Sequence, residues 1–258
     1  MTKDPDELES ELLMKFSRAD AGGREKVYVQ HYDAQYGRRR LGGGAPTLRR
    51  RRRIEGFCAA IGRGHEAVLE LGCGLGDLTF ALGGQCQTTV GADVSFTALQ
   101  AAGLRGRRGP AAPYPHPVVF TQMNATRLAF RDNVFDAVLS TSMIEHLYRA
   151  DVEPHLREVW RVLKPGGKYL VWCPNALGHH GERDVHLSMF SYRLLMAEMR
   201  RAGFDQFRSC LFNRFGAGVN ARWKVFLEDA LTRLRFKYLW SHLGVRNIFL
   251  LGSKASVP

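Results

Sequence analysis

Three stretches of this 258-residue chain place reactive or ligand-holding side chains at informative distances. Glu70 precedes Gly72, Gly74 and Gly76, with Cys73 between the first two glycines. Glycines at alternate positions permit positive φ and let a ligand approach the backbone with no Cβ in the way. The spacing is GxGxG rather than the GxGxxG that cradles a pyrophosphate. A carboxylate at Glu70 would repel a pyrophosphate but can help hold an ammonium group. Asp93 follows Gly76 by 17 residues. At a strand end it can accept hydrogen bonds from both hydroxyls of a ribose. These residues describe a ligand with an ammonium, a ribose and no phosphate. Further along, Glu145-His146 and His186 offer groups for proton transfer near neutral pH. His179 and His180 are adjacent, and adjacent side chains rarely converge on one metal ion.

Such side chains need a scaffold that brings strand ends together. Short apolar runs at Ala67–Leu71, Thr88–Ala92, Val118–Thr121, Phe135–Ser140 and Lys168–Cys173 read as strands. Phe204–Phe212 and Arg246–Leu251 read as two more. Helical patterns fall between them: about 77–82, Ser95 to Leu104, Asp151–Leu163 and Ser191–Ala202. Alternating strands and helices imply an α/β fold with a mainly parallel sheet and right-handed crossovers. Ligands of such sheets bind at the carboxyl ends of the strands. Thr47, Ser95 and Ser191 sit where helix caps are expected.

Several stretches taken together resemble the class I S-adenosylmethionine (SAM)-dependent methyltransferases, in particular the type 11 group. Val68-Leu69-Glu70-Leu71-Gly72-Cys73-Gly74 is similar to their first motif. Met123–Phe130 resembles the stretch after their third strand. Asn133–Val138 resembles the opening of their fourth, and Leu163-Lys164-Pro165-Gly166-Gly167 the turn before their fifth. The resemblance covers roughly residues 55–212. It implies a three-layer αβα Rossmann-like fold with a seven-stranded, mainly parallel sheet. Residues 1–62 would form an N-terminal helical cap or lid, and 63–258 the methyltransferase domain, with a helical insertion at about 213–244 before the last strand.

The resemblance also implies site roles. Glu70, Gly72, Cys73, Gly74 and Gly76 would surround the methionine part of SAM, and Asp93 would take the ribose. Val94 would pack on the adenine, Asn124 and Ala125 would meet its edge, and Ser140 would complete the cofactor set. Asn124 stands where the family often has Asp, and its carbonyl would accept from the adenine amine. Glu145, His146 and His186 are the catalytic candidates. Some relatives bind a divalent metal through a Glu-x-x-Glu-His pattern at this place. Ser142 stands where the first Glu would be, so no metal is assigned.

The remaining composition bounds the partners. No run of about 18 apolar residues is present, and the polar, acidic start lacks the apolar core of a signal peptide. The five cysteines include no CxxC pair. These features point to a cytoplasmic protein with reduced thiols. The formal net charge of +12 favours acidic partners. Arg49–Arg53 lacks interleaved aromatic residues for base stacking, which makes nucleic acid the minor reading. Tyr28, Tyr32 and Tyr36 share a helical face, as an aromatic lid or as core. A basic amphipathic helix at 221–240 carries Trp223, Phe226 and Leu227, which suit closing an apolar pocket or pairing subunits in a homodimer. Peripheral membrane contact is the other use of such a helix.

The resulting expectation is an enzyme that methylates an O or N atom of a small molecule, such as a natural product or sugar-containing metabolite, and yields S-adenosylhomocysteine (SAH). An RNA or lipid-linked glycan methyltransferase and a non-catalytic SAM-binding partner subunit stand as alternatives.

Overall fold

The computed structural model describes residues 5–38, 47–108, 115–177, 186–211, 214–220, 222–233 and 247–255. Three helices open it: α1 (Pro5–Arg18), α2 (Ala21–Arg38) and α3 (Leu48–Ile61). Then follow β1 (Ala67–Leu71), α4 (Asp77–Leu82), β2 (Thr88–Asp93), α5 (Phe96–Arg108), β3 (Val118–Gln122) and β4 (Phe135–Thr141). After two short 3-10 turns come α6 (Val152–Val162), β5 (Leu163–Pro174), α7 (Tyr192–Arg201), β6 (Phe204–Leu211), β7 (Arg214–Asn220), α8 (Arg222–Arg233) and β8 (Asn247–Lys254).

The strands form one sheet in the order β3-β2-β1-β4-β5-β8-β6-β7. From β3 to β5 all pairs are parallel. β8 then inserts antiparallel between β5 and β6. The expected seven strands are all present. An eighth, β7, pairs with β6 at the edge, in the region read from sequence as purely helical. Its residues, RFGAGVN, contain neither strict alternation nor a helical stripe, so pairing with β6 decides their conformation.

Strand alternation explains the two cores. Leu69, Val138, Tyr169, Val171, Ile248 and Leu250 face one side of the sheet. Their neighbours Val68, Ala137, Leu139, Leu170, Phe249 and Leu251 face the other. The first face packs against α1, α2, α6 and α7 through residues such as Phe16, Tyr28, Leu156 and Leu195. The second packs against α3 and α4 through Phe57, Cys58, Ile61, Leu78 and Leu82. Each such large side chain contributes about 1.5–3 kcal/mol on burial. Helix α3 therefore belongs to the body of the fold. The caps form where the sequence places them: Thr47 Oγ1 accepts from Arg50 N, Ser95 Oγ from Ala98 N and Ser191 Oγ from Leu194 N. Cys58, Cys73, Cys86 and Cys173 are buried free thiols. Among the described residues no helix is long and apolar enough to cross a membrane.

Helix α8 does not close the cavity. Phe226 is 74% exposed, and no described α8 residue lines the main cavity. The helix is tied instead to α7. Glu228 accepts from Tyr192 N and from Asn175 Nδ2, and Lys224 is fully buried beside the Tyr192 ring. Arranged around these polar anchors, the apolar stripe does not face the cavity.

Candidate active site

A cavity of about 310 Å³ opens at the carboxyl ends of β1, β2 and β4, where strand order places ligands in such sheets. Its floor is the turn leaving β1. Gly72 and Gly74 have φ of 70° and 51°. A Cβ on Gly72 would lie 2.5 Å from Met143 Cγ, and one on Gly74 2.5 Å from Tyr36 Oη. Both positions need glycine for conformation, and Gly72 also for space, since Met143 stands against it through Cβ and Cγ. The turn is stitched to β2: Gly72 N and Cys73 N donate to Ala92 O at 2.8 and 3.1 Å, and Gly74 N donates to Asp93 Oδ2 at 2.8 Å. These amides therefore shape the turn rather than wait for a ligand.

The two strand-end carboxylates both line the cavity and are both buried. Burial pushes Glu70 up to about 8, although the Thr79 hydroxyl donates to it and draws it down. Asp93 is also raised by burial, against amide donors at Ser95, Gly74 and Val94. Among the described residues no cation pairs with Glu70, so burial favours its protonated form.

Val94, Asn124 and Ala125 line the same cavity. Asn124 Oδ1 accepts from both Thr126 N and Thr126 Oγ1 at 2.9 Å, while Nδ2 reaches Glu25. The role expected of its carbonyl must therefore compete with a local turn. Two members of the expected cofactor set do not line the cavity. Gly76 lies behind the turn, where a Cβ would press on Phe120 and Phe80. Ser140 is fully buried, with Oγ 2.7 Å from Tyr169 Oη. Its side chain belongs to a chain of groups that continues through Tyr169 Oη and His155 Nε2, 2.8 Å apart, to His155 Nδ1 and the Ala125 carbonyl at 3.0 Å. Burial lowers His155 to about 4 and keeps it neutral.

The end of β4 supplies the other wall. Ser142 takes φ 53° and donates its N–H to Trp172 O. The chain then winds through a 3-10 turn, Ile144–His146. His146 lines the cavity, while Glu145, 1% exposed, stands behind it. Ser188 N donates to Glu145 O, docking the segment that carries His186. The His146 and His186 rings are 5.2 Å apart. Ligand atoms of Glu145, His146 and His186 all lie within 4.8 Å of one another. Sequence spacing could not show this convergence, since 40 residues separate the histidines. Such a set can pass a proton from ring to ring or hold a divalent cation. His179 and His180 lie outside the described residues.

Helix α2 covers the cavity. Tyr28, Tyr32 and Tyr36 all line it, so the tyrosine face is lid and core at once. Tyr28 is also buried in the core and donates to Asp151 Oδ2 at 2.9 Å. Tyr32 stands edge-on to His146 at 5.9 Å, and burial raises its phenol well above the usual range. Arg24 grips Asp151 through Nε and Nη2. At the other end Asp33 Oδ1 accepts from Ser95 Oγ and Thr97 N. The sequence reading missed Arg24, Asp33, Asp151, His155 and Tyr169. Their partners are remote in sequence, and no local motif marks them.

Residues 69–171 match the family model of the methyltransferase domain. A demethylmenaquinone methyltransferase from Symbiobacterium thermophilum is 34% identical over 106 residues, which is 40% of either chain. A probable S-adenosylmethionine-dependent methyltransferase from Mycolicibacterium smegmatis is 32% identical over 143 residues, 54% of this chain and 51% of its own. The matched region thus spans about half or less of these relatives. A putative methyltransferase of Haloferax volcanii, solved with its Trm112 activator, superposes with a TM-score of 0.61 at 18% identity, covering 87% of this chain and 97% of that one. That likeness speaks for the fold.

Residues 69–171 are thus similar to a methyltransferase domain, on a fold shared with a solved methyltransferase.

Proposed function

We propose that the protein transfers a methyl group from SAM to an O or N atom of a small-molecule acceptor. One observation carries this reading. A single cavity holds Glu70 and Asp93 at adjacent strand ends and His146, backed by Glu145 and His186, at a third. The donor set suits the cofactor, because the buried carboxylates of Glu70 and Asp93 line the cavity beside the glycine turn. Glu70 meets the amino-acid ammonium, Asp93 accepts from the ribose hydroxyls, and Val94 and Ala125 contact the adenine. When bound, SAM supplies an electrophilic methyl on a sulfonium. The protein aligns the acceptor for in-line attack, an effect worth up to about 7–11 kcal/mol. His146 takes the acceptor's proton at a ring nitrogen, and Glu145 and His186 hold that ring and share the charge.

The relative named as a demethylmenaquinone methyltransferase favours a second reading, in which a ring carbon of a reduced quinone accepts the methyl. His146 would then take the phenolic proton that activates the ring. The test is methyl transfer from radiolabelled SAM to phenols, amines, reduced quinones and RNA in parallel. Label in phenols or amines supports the first reading, and label in quinol carbon the second. Label in RNA alone, or SAM binding with no transfer to any acceptor, overturns both.

A further inference from the structure

Helix α3 brings two arginines of its run, Arg50 and Arg53, to the cavity wall. Arg49, Arg50, Arg51 and Arg52 are exposed, but Arg53 is half-buried and lines the cavity. Its guanidinium carbon lies 4.5 Å from the centroid of Trp172, which lines the cavity too. Among the described residues no carboxylate pairs with Arg53. Asp77 is shared by Arg50 and Arg105, while Glu70 and Asp93 are held by Thr79 and by backbone amides. Burial, with Arg50 and Arg49 nearby, presses the Arg53 pKa below its ordinary value.

A partly desolvated guanidinium with two cationic neighbours costs stability unless a bound molecule supplies the opposite charge. Stacking uses only the face of the group. Its edge keeps several N–H donors in a fork that matches a carboxylate or phosphate. Phe57 and Ile54 also line this end of the cavity, which gives the fork an apolar margin.

We propose that Arg53 is an oxyanion receptor inside the cavity, with Trp172 fixing the plane of its guanidinium. This rests on the reading of the cavity as a methyl-transfer site. Two bound molecules can bring the oxyanion: the cofactor, through its own carboxylate, or an acceptor with an acidic group beside an apolar body.

The test uses the full chain as wild type, Arg53→Met and Arg53→Lys, with melting curves to verify folding. In one arm, calorimetry compares SAH with its decarboxylated analogue. In the other, ligand-observed NMR on the SAH-loaded protein compares aromatic carboxylic acids with their matched amides. If the oxyanion is the cofactor's, Arg53→Met weakens SAH at least about tenfold and leaves the analogue unchanged, with Arg53→Lys between. If it is the acceptor's, SAH is unchanged, the wild type prefers acids over amides by about tenfold, and Arg53→Met erases that preference. No response in either arm overturns the proposal. Equal weakening of SAH and its analogue also overturns it, because that marks a packing role on Trp172. Failure of the wild type to bind SAH would instead bring down the methyl-transfer reading itself.

Discussion

At the glycine-turn end of the cavity, Glu70, Gly72, Gly74 and Asp93 lie within one β-α-β step, and hydrogen bonds from Gly72, Cys73 and Gly74 to the end of β2 set their positions. Elsewhere around the wall, His146, Tyr32, Arg53 and Trp172 come from four separate elements. One end is built by backbone over a short stretch, and the other by side chains that meet only after the chain has folded. The contrast fits the proposed function, with a cofactor held by local geometry and an acceptor selected by tertiary placement.

The predictions test that division. His146→Ala and Glu145→Gln should lower methyl transfer by about 10²–10⁴-fold while SAH affinity stays within twofold. A matching loss of SAH affinity would erase the distinction between the two ends. Asp93→Ala should weaken SAH binding by about 1.5–3 kcal/mol through loss of charge-assisted hydrogen bonds, and unchanged calorimetry would remove Asp93 from the cofactor end.

Glu70 yields a pH signature. Its carboxyl is pushed up to about 8 in the free protein, so pairing with an ammonium requires it to lose a proton. SAH binding should release close to one proton at pH 6 to 7, falling to none above about pH 9, and Glu70→Gln should abolish the release. The same shift acts on folding. A carboxyl with a raised folded value favours the fold below its ordinary range. That advantage is lost as pH rises toward about 8, at up to ~1.4 kcal/mol per unit. Melting of the free protein between pH 5 and 8 should slope downward, and Glu70→Gln should flatten the slope. Tyr169→Phe is the mildest change. It removes the hydroxyl between Ser140 and His155 and should cost about 1–3 kcal/mol in denaturant unfolding.

The same division governs what the sequence disclosed. The strand ends, the glycine turn and Asp93 could be read because each depends on neighbours a few residues away or on the pleat of one strand. Gly76 and Ser140 keep the right company in sequence for cofactor contacts, yet neither lines the cavity. Phe120 stands against the first and Tyr169 bonds to the second, and neither partner is near in sequence. Nothing local to His146 or His186 tells that Ser188 docks on the Glu145 carbonyl and that the two rings meet. Arg53 was one of five arginines. Its inward turn depends on Trp172, 119 residues away.

The fastening of α2 has a consequence in time. The helix is pinned at one end by Arg24 and Tyr28 on Asp151, and further along by Asp33 on Ser95 and Thr97. Between these points its tyrosines roof the cavity. Cutting a pin would free one stretch of that roof, so residence time becomes a readout of how α2 is fastened. Asp33→Ala should shorten the SAH dwell time in stopped-flow displacement, and an unchanged dwell time would show that α2 does not hold the ligand in.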